Sequence, residues 1–350
     1  MIKTIKFATK AAALAVGLSA SANVLAADTT LIVGTWLPPT AVQNAVVWPT
    51  WAKWVEEATE GRVEVKIEYD VGHPRTYFQL VEDGVIDAGF SYHGYVPGRF
   101  KLPIAAEQPG MGVGAEAASV ALWNVQKKYF DKANEFEGLE LLGMFTHGPG
   151  QLMTTAPINN VSDLKGKKIR IGGGVQAEIG ERMGIAPVAA PATKVYEMMQ
   201  QGVIDGALLP LGEQKSQRLA EVTNTINLIP GGMYLGTFSM FINPDFLADL
   251  DEKDREAILS VSGEKLSALA GQAWEQADVE GLAFAREQGV NVVEHDASSP
   301  FVQQFNQLAA GMDQVWIDSV ADRDVDAKAA LEEMRAIAQE YEAAKQQKQE

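Results

Sequence analysis

Arg170 is the last charged residue of the run Lys167-Lys168-Ile169-Arg170-Ile171, which is followed at once by Gly172-Gly173-Gly174. A guanidinium there can grip a carboxylate through two parallel N–H bonds, and it stays charged when partly dehydrated. The competing reading is an exposed strand arginine paired with a surface acid. Trp36, Tyr92, Tyr95 and Tyr234 fall in segments that follow strands. Such rings can cage an ammonium group by cation–π attraction, each worth about 0.5–2 kcal/mol, or can simply pack. There are four histidines, His73, His93, His147 and His295, and the first three lie near the same loops. No HxH or HxxxH spacing brings them together, so no metal site is expected. His93 is read instead as a hydrogen bonder to a ligand.

Other chemistries lack their residues. With no cysteine in the chain, disulfides, thiolate metal sites and cysteine nucleophiles are excluded. No GxSxG elbow occurs, and the three glycines after Ile171 lack the spacing of a dinucleotide or P-loop fingerprint. These absences favour a binding site without a cofactor over an enzyme.

The elements that position these residues read as α/β. The tetrapeptide GVID occurs twice, as Gly84–Asp87 and Gly202–Asp205. Each copy follows an amphipathic run and precedes a short apolar one, a helix, a glycine stop and a buried strand. The spacing is about one small α/β domain, which suggests two lobes with a cleft between them, where small ligands bind. Strands are expected at 29–34, 63–69, 85–90, 139–145, 151–155 and 167–171. Helices are expected at 45–58 and 115–130, at 251–288 with a possible break, and from Ser299-Pro300 onward.

Lys3, Lys6 and Lys10 precede an apolar stretch from Ala11 to about Ala20, and Val24-Leu25-Ala26 fits a small-residue cleavage site. Residues 1–26 therefore read as a leader cut after Ala26, and the stretch is too short to span a bilayer. The mature chain is expected outside the cytoplasm, in a bacterium the periplasm. Formal charge is −17, and without the three leader lysines it is −20. That argues against nucleic acid or an anionic membrane as a partner, and no later segment is apolar enough for stable membrane insertion.

The run SDLKGKKIRIGGG (162–174) resembles the central signature of solute-binding proteins of tripartite ATP-independent periplasmic (TRAP) transporters, in the dicarboxylate-binding family. GIAPVAAPATKVYEMMQQGVIDGALLP (184–210), INPDFLADLDEKDREAI (242–258) and GVIDAGFSYHGYVPGRF (84–100) are similar to further family segments in the same order. The resemblance implies a two-lobed binding protein with discontinuous domains, a central cleft and a long helix spanning both lobes. It divides the chain into lobe I (27–147 plus 236–275), lobe II (148–235 plus 276–340) and a polar tail (341–350). It also implies the small and large integral membrane components of the transporter as partners, and Arg170 as the ligand's carboxylate anchor.

Two departures bear on the ligand. Leu208 and Leu209 stand where the family often has an acid and an asparagine, and Gly150 precedes Gln151 where sugar-acid binders have a second arginine. Polar ligand groups would go unpaired against such a wall at about 1–3 kcal/mol each. One arginine with leucines and aromatics suits a small monocarboxylate with an apolar body, a 2-oxo or 2-hydroxy acid being the first choice. A small amine or zwitterion in an aromatic cage is the alternative, and a subunit that presents ligand to a sensor is another. The expected ligand contacts are Arg170, Trp36, Leu209, Leu208, His93, Tyr92, Tyr95, Gln151 and Tyr234.

Overall fold

The computed structural model describes residue 27 and residues 29–347. The expected leader, 1–26, lies outside the described residues. Eleven strands form among the described residues: Thr29–Thr35 (β1), Val63–Tyr69 (β2), Ala88–Tyr92 (β3), Glu140–Thr146 (β4), Gln151–Thr154 (β5), Lys168–Ile171 (β6), Ala186–Ala189 (β7), Gly206–Leu209 (β8), Thr225–Leu228 (β9), Thr237–Ile242 (β10) and Asn291–Glu294 (β11). They make two sheets, ordered β2-β1-β3-β10-β4 and β11-β9-β5-β8-β6-β7.

The two GVID copies are equivalent corners. Gly84 and Gly202 hold φ of +66° and +69°, the left-handed region that glycine enters without a Cβ penalty. The next residue folds back identically: the N–H of Val85 bonds Leu80 O at 2.9 Å and that of Val203 bonds Met198 O at 2.8 Å. Each aspartate then clasps one residue of the neighbouring parallel strand. Asp87 Oδ2 accepts from Ile32 N at 2.7 Å while Asp87 N donates to Ile32 O at 3.0 Å. Asp205 Oδ2 accepts from Lys168 N at 2.8 Å while Asp205 N donates to Lys168 O at 2.7 Å. Ile86 and Ile204 are buried between them.

The chain passes between the sheets at His147–Gly150 and returns at Gly231–Gly236. These two crossings pair with each other, Gly150 N donating to Tyr234 O at 2.8 Å and His147 N to Gly236 O at 3.1 Å. The long helix, Glu264–Glu287, crosses again. Its Leu266, Ala270 and Trp274 pack in the core of the first sheet, and its Ala285 packs against the second. The expected helix 251–288 is interrupted at Gly263, whose φ is +72°.

The C-terminal part departs from the expected division. Helix Pro300–Ala309 packs on the second sheet through Phe301, Val302 and Phe305. The chain then returns: Trp316, Leu331, Met334 and Ala338 lie in the core of the first sheet. The apolar stripe of helix Ala327–Gln347 has no other face to cover, because the second sheet is already covered on both sides. The expected polar tail 341–350 is helical as far as Gln347. Tyr341 Oη donates to Glu116 Oε1 at 2.9 Å, and Lys345 Nζ pairs with Glu116 at 2.7 Å. No helix of the described residues is long and apolar enough to cross a membrane.

Candidate functional site

β1, β3 and β6 end at one buried cavity between the two sheets, the place where open α/β sheets expose backbone groups and side chains to a ligand. The free volume between these walls is about 20 Å³, room for about one water, so a larger ligand requires the two sides to part. Trp36 follows β1, Tyr92 ends β3, and Tyr95 stands in the turn beyond it. Phe238 enters from β10 and Trp274 from the long helix. These rings pack on one another: Trp36 edge-on to Tyr95 at 5.6 Å between centroids, Tyr92 edge-on to Tyr95 at 5.1 Å, and Phe238 stacked with Trp274 at 5.9 Å. From the second sheet come Arg170, Leu209, Glu213 and Tyr234.

Arg170 is 2% exposed. Its Nε donates to Ala190 O at 2.8 Å and one terminal nitrogen to Leu208 O at 3.2 Å. The other terminal nitrogen lies 3.5 Å from Tyr95 Oη, which itself accepts from Ala192 N at 2.9 Å. Two backbone carbonyls thus fix the plane of the guanidinium. A guanidinium carries five N–H groups, so part of its donor capacity is unspent. Among the described residues no carboxylate is within ion-pair distance of Arg170. A buried charge with no directly paired partner is expensive, and an anion in the cavity would supply that pair.

Two further donors in the same walls lack acceptors. Tyr234 Oη and Trp274 Nε1 are buried with no hydrogen-bond partner among the described residues. Burial pushes the Tyr234 phenol far up, so it remains an O–H donor. His147, at the end of β4, is neutral: burial lowers its pKa to about 4, and its Nδ1 bonds the Gly148 carbonyl.

Glu107 joins the two sides. Its Oε1 accepts from Thr237 N at 3.0 Å and Thr237 Oγ1 at 2.8 Å on the first sheet. Its Oε2 accepts at 2.9 Å from Val175 N, the first residue of helix Val175–Met183 on the second. Burial raises this carboxyl to about 7 against the pull of those donors. Tyr92 Oη bonds Gly173 O at 3.2 Å in the same seam. The glycine run after Arg170 is there for close approach: a Cβ on Gly173 would come 2.1 Å from Gly94 O.

The structure brings six of the nine expected contacts to the cavity: Arg170, Trp36, Leu209, Tyr92, Tyr95 and Tyr234. Three lie elsewhere. Leu208 is one residue from Leu209 on a strand, so it faces the opposite side of the sheet and packs with Ile169 and Ile179; only its carbonyl meets Arg170. Gln151 spends its amide on both backbone groups of Ile229, at 3.2 and 2.9 Å. His93 is a core residue wedged against Phe100 and Phe136, its ring nitrogens 2.9 Å from Thr237 Oγ1 and 3.1 Å from Ser239 Oγ. Thr237 Oγ1 gives its proton to Glu107, so it accepts from His93 Nδ1–H. Nε2 then accepts from Ser239, the neutral tautomer that burial also favours by lowering the pKa to about 3.

Glu213, Trp274 and Phe238 were not expected. Phe238 alternates outward from Thr237 and Ser239 on one strand, and Glu213 is a lone acid in LLPLGEQ; each is a signal, but neither points to a particular cavity without the fold. A larger groove of about 670 Å³ lies between Val46, Lys215 and Leu269. Its cations are exposed and already paired, Lys215 with Glu280 and Arg218 with Glu221.

Comparison with known proteins agrees with this architecture. The family model for bacterial extracellular solute-binding protein, family 7 (DctP), matches residues 33–314. A curated relative from Comamonas testosteroni, the outer membrane transporter protein TsaT, is 30% identical over 316 residues, 89% of this chain and 93% of its own. A TRAP periplasmic solute-binding protein from Bordetella bronchiseptica, solved with bound (R)- and (S)-mandelate, superposes with a TM-score of 0.86 at 34% identity, over 89% of this chain and 99% of that one. One from Rhodoferax ferrireducens, in complex with copurified benzoate, gives 0.84 at 26% identity, over 90% and 99%.

Proposed function

This chain belongs to family 7 of the bacterial extracellular solute-binding proteins, the binding proteins of TRAP transporters, and from that premise we propose that it captures a small aromatic monocarboxylate between its two sheets. Arg170 pairs the carboxylate, and the rings of Trp36, Tyr92, Tyr95 and Phe238 hold the apolar body. The single observation that carries the reading is a buried guanidinium with its plane fixed and no carboxylate in contact with it. Mandelate and benzoate in similar proteins support the ligand class. The chain is exported, delivers its ligand to the two integral membrane components of a TRAP system, and acts by binding without turnover.

The aromatic-cage alternative is disfavoured by the same arginine. A cationic ligand would share the cavity with the Arg170 guanidinium, which no carboxylate contacts.

The test is isothermal titration of the mature protein with benzoate, mandelate, phenylacetate and, as controls, choline and glucuronate. Saturable one-to-one binding of the aromatic acids, with no product after prolonged incubation, is expected. Binding of choline alone would overturn the reading.

A further inference from the structure

Arg170 and Glu213 carry opposite charges, line the same buried cavity and do not touch. Glu213 is 4% exposed. Its Oε2 accepts from Ser216 Oγ at 2.9 Å, a bond within its own helical turn Glu213–Ser216. Arg170 is tied to the carbonyls of Ala190 and Leu208. Each charge is therefore held back by its own side of the cavity. Attraction between opposite charges is strongest where water is excluded; here each group is tied to its own side instead, and both line the same cavity.

We propose that Glu213 is the specificity-determining residue of the site: it accepts a hydrogen bond from a hydroxyl group on the bound acid. The inference rests on the monocarboxylate reading and sharpens it. A ligand with a carboxylate and a hydroxyl bridges the two held-apart groups, one end on Arg170 and the other on Glu213. An acid of the same shape without the hydroxyl satisfies Arg170 but strips water from Glu213 and gives nothing back. A site built to hydrogen-bond a hydroxyl discriminates strongly against the analogue that lacks it, because its own buried polar group is left unpaired. The two leucines after the second GVID corner made this wall look apolar in the sequence. The strand alternation turns Leu208 away, and the chain then brings an acid into the wall at Glu213.

The experiment is a pairwise titration of the mature protein and two variants, Glu213→Gln and Glu213→Ala. The probes are acids that differ by one hydroxyl: phenylacetate against mandelate, and benzoate against 3-hydroxybenzoate. In the unaltered protein one hydroxylated member is expected to bind at least about tenfold more tightly than its partner. In Glu213→Ala that ratio collapses toward one, whatever shift is common to both members of a pair. Glu213→Gln, which keeps the shape and one acceptor, retains part of the preference and shows that the loss is not misfolding. Equal affinity within both pairs in the unaltered protein, or a ratio unmoved by Glu213→Ala, overturns this inference and leaves the monocarboxylate reading standing. Failure of all four acids to bind overturns that reading instead. Preference for the 2-amino acid phenylglycine over mandelate overturns the hydroxyl assignment.

Discussion

After the first GVID corner the chain runs through β3 into Tyr92 and Tyr95; after the second it runs through β8 into Leu209, Pro210 and Glu213. The corners themselves match bond for bond, down to the aspartate that clasps one residue of the adjacent strand. What they lead to does not match. The first side of the cavity is made of rings interlocked at centroid distances of about 5–6 Å. The second side carries the charges, Arg170 anchored to two backbone carbonyls and Glu213 to the Ser216 hydroxyl. The difference teaches where affinity and selectivity should reside. A wall of mutually packed rings cannot move one member without disturbing the rest, so it offers a fixed apolar surface. The charged wall decides which acid is held.

The largest break in that division should come from Arg170→Ala. Removing one partner of a buried charge pair costs roughly 2–5 kcal/mol of binding, a loss that titration with mandelate or benzoate would read directly. Arg170→Lys should rescue little, because a single ammonium cannot reproduce the planar fork that two carbonyls hold in place. Affinity unchanged in Arg170→Ala would move the anchor elsewhere.

Glu107→Gln tests the seam between the two sides. Both carboxylate oxygens accept from backbone N–H groups, Thr237 and Val175, so an amide must turn its NH₂ against one of them. The contact between the sides should weaken by about 1–3 kcal/mol. All ligands should lose affinity by the same factor and dissociate faster in stopped-flow. If the ratio between two acids also changes, Glu107 touches ligand and is more than a clasp.

Leu209→Asn acts on the second side alone. It exchanges apolar wall for a buried amide, with a cost of about 1–3 kcal/mol for an aromatic acid that cannot pair with it. More polar acids should gain relative to benzoate. An unaltered ligand profile would mean that Leu209 does not face the bound molecule.

How much of this was legible in the sequence follows from which interactions are local. The GVID corners were readable because a helix stop, a positive-φ glycine and a buried strand occupy a dozen consecutive residues. Ser299-Pro300 was readable for the same reason, and Ser299 Oγ does accept from Val302 N at 3.3 Å. Arg170 stood out through its neighbours, and the aromatic residues through their place after strands. His93 failed because a histidine after a strand looks the same whether its partners are a ligand or, as here, Thr237 and Ser239 almost 150 positions away. Leu208 and Leu209 could be told apart only by knowing which face of β8 meets the cavity. The return of the C-terminal helix to the first sheet is a long-range packing choice: its stripe was visible, its destination was not. Glu107 was missed altogether, since nothing near it in sequence announces that both its oxygens will be caught by opposite sides of the molecule.

The smallest effect concerns the long helix that crosses both sides. Asp278 sits on it, accepting from Gly212 N at 2.7 Å through Oδ1, while Oδ2 is buried without a partner. Burial first, with Glu213 adding to it, raises this carboxyl to about 8. Between the ordinary aspartate range and that value the folded chain keeps a proton that the unfolded chain has lost. Stability must then fall as pH rises through the window. Glu107 acts in the same direction up to about 7, whereas His147, held neutral down to about 4, adds stability as pH rises toward the ordinary histidine value. Below pH 7 these contributions oppose one another. Between pH 7 and 8 only Asp278 of the three still titrates, with a slope of at most about 1.4 kcal/mol per pH unit. The melting temperature of the ligand-free protein should therefore decline from pH 7 to 8, and Asp278→Asn should flatten the decline. A flat profile in the unaltered protein would mean that Asp278 is already ionised at neutral pH. The helix would then join the two sides through a charge–dipole contact to Gly212 rather than through a neutral acid.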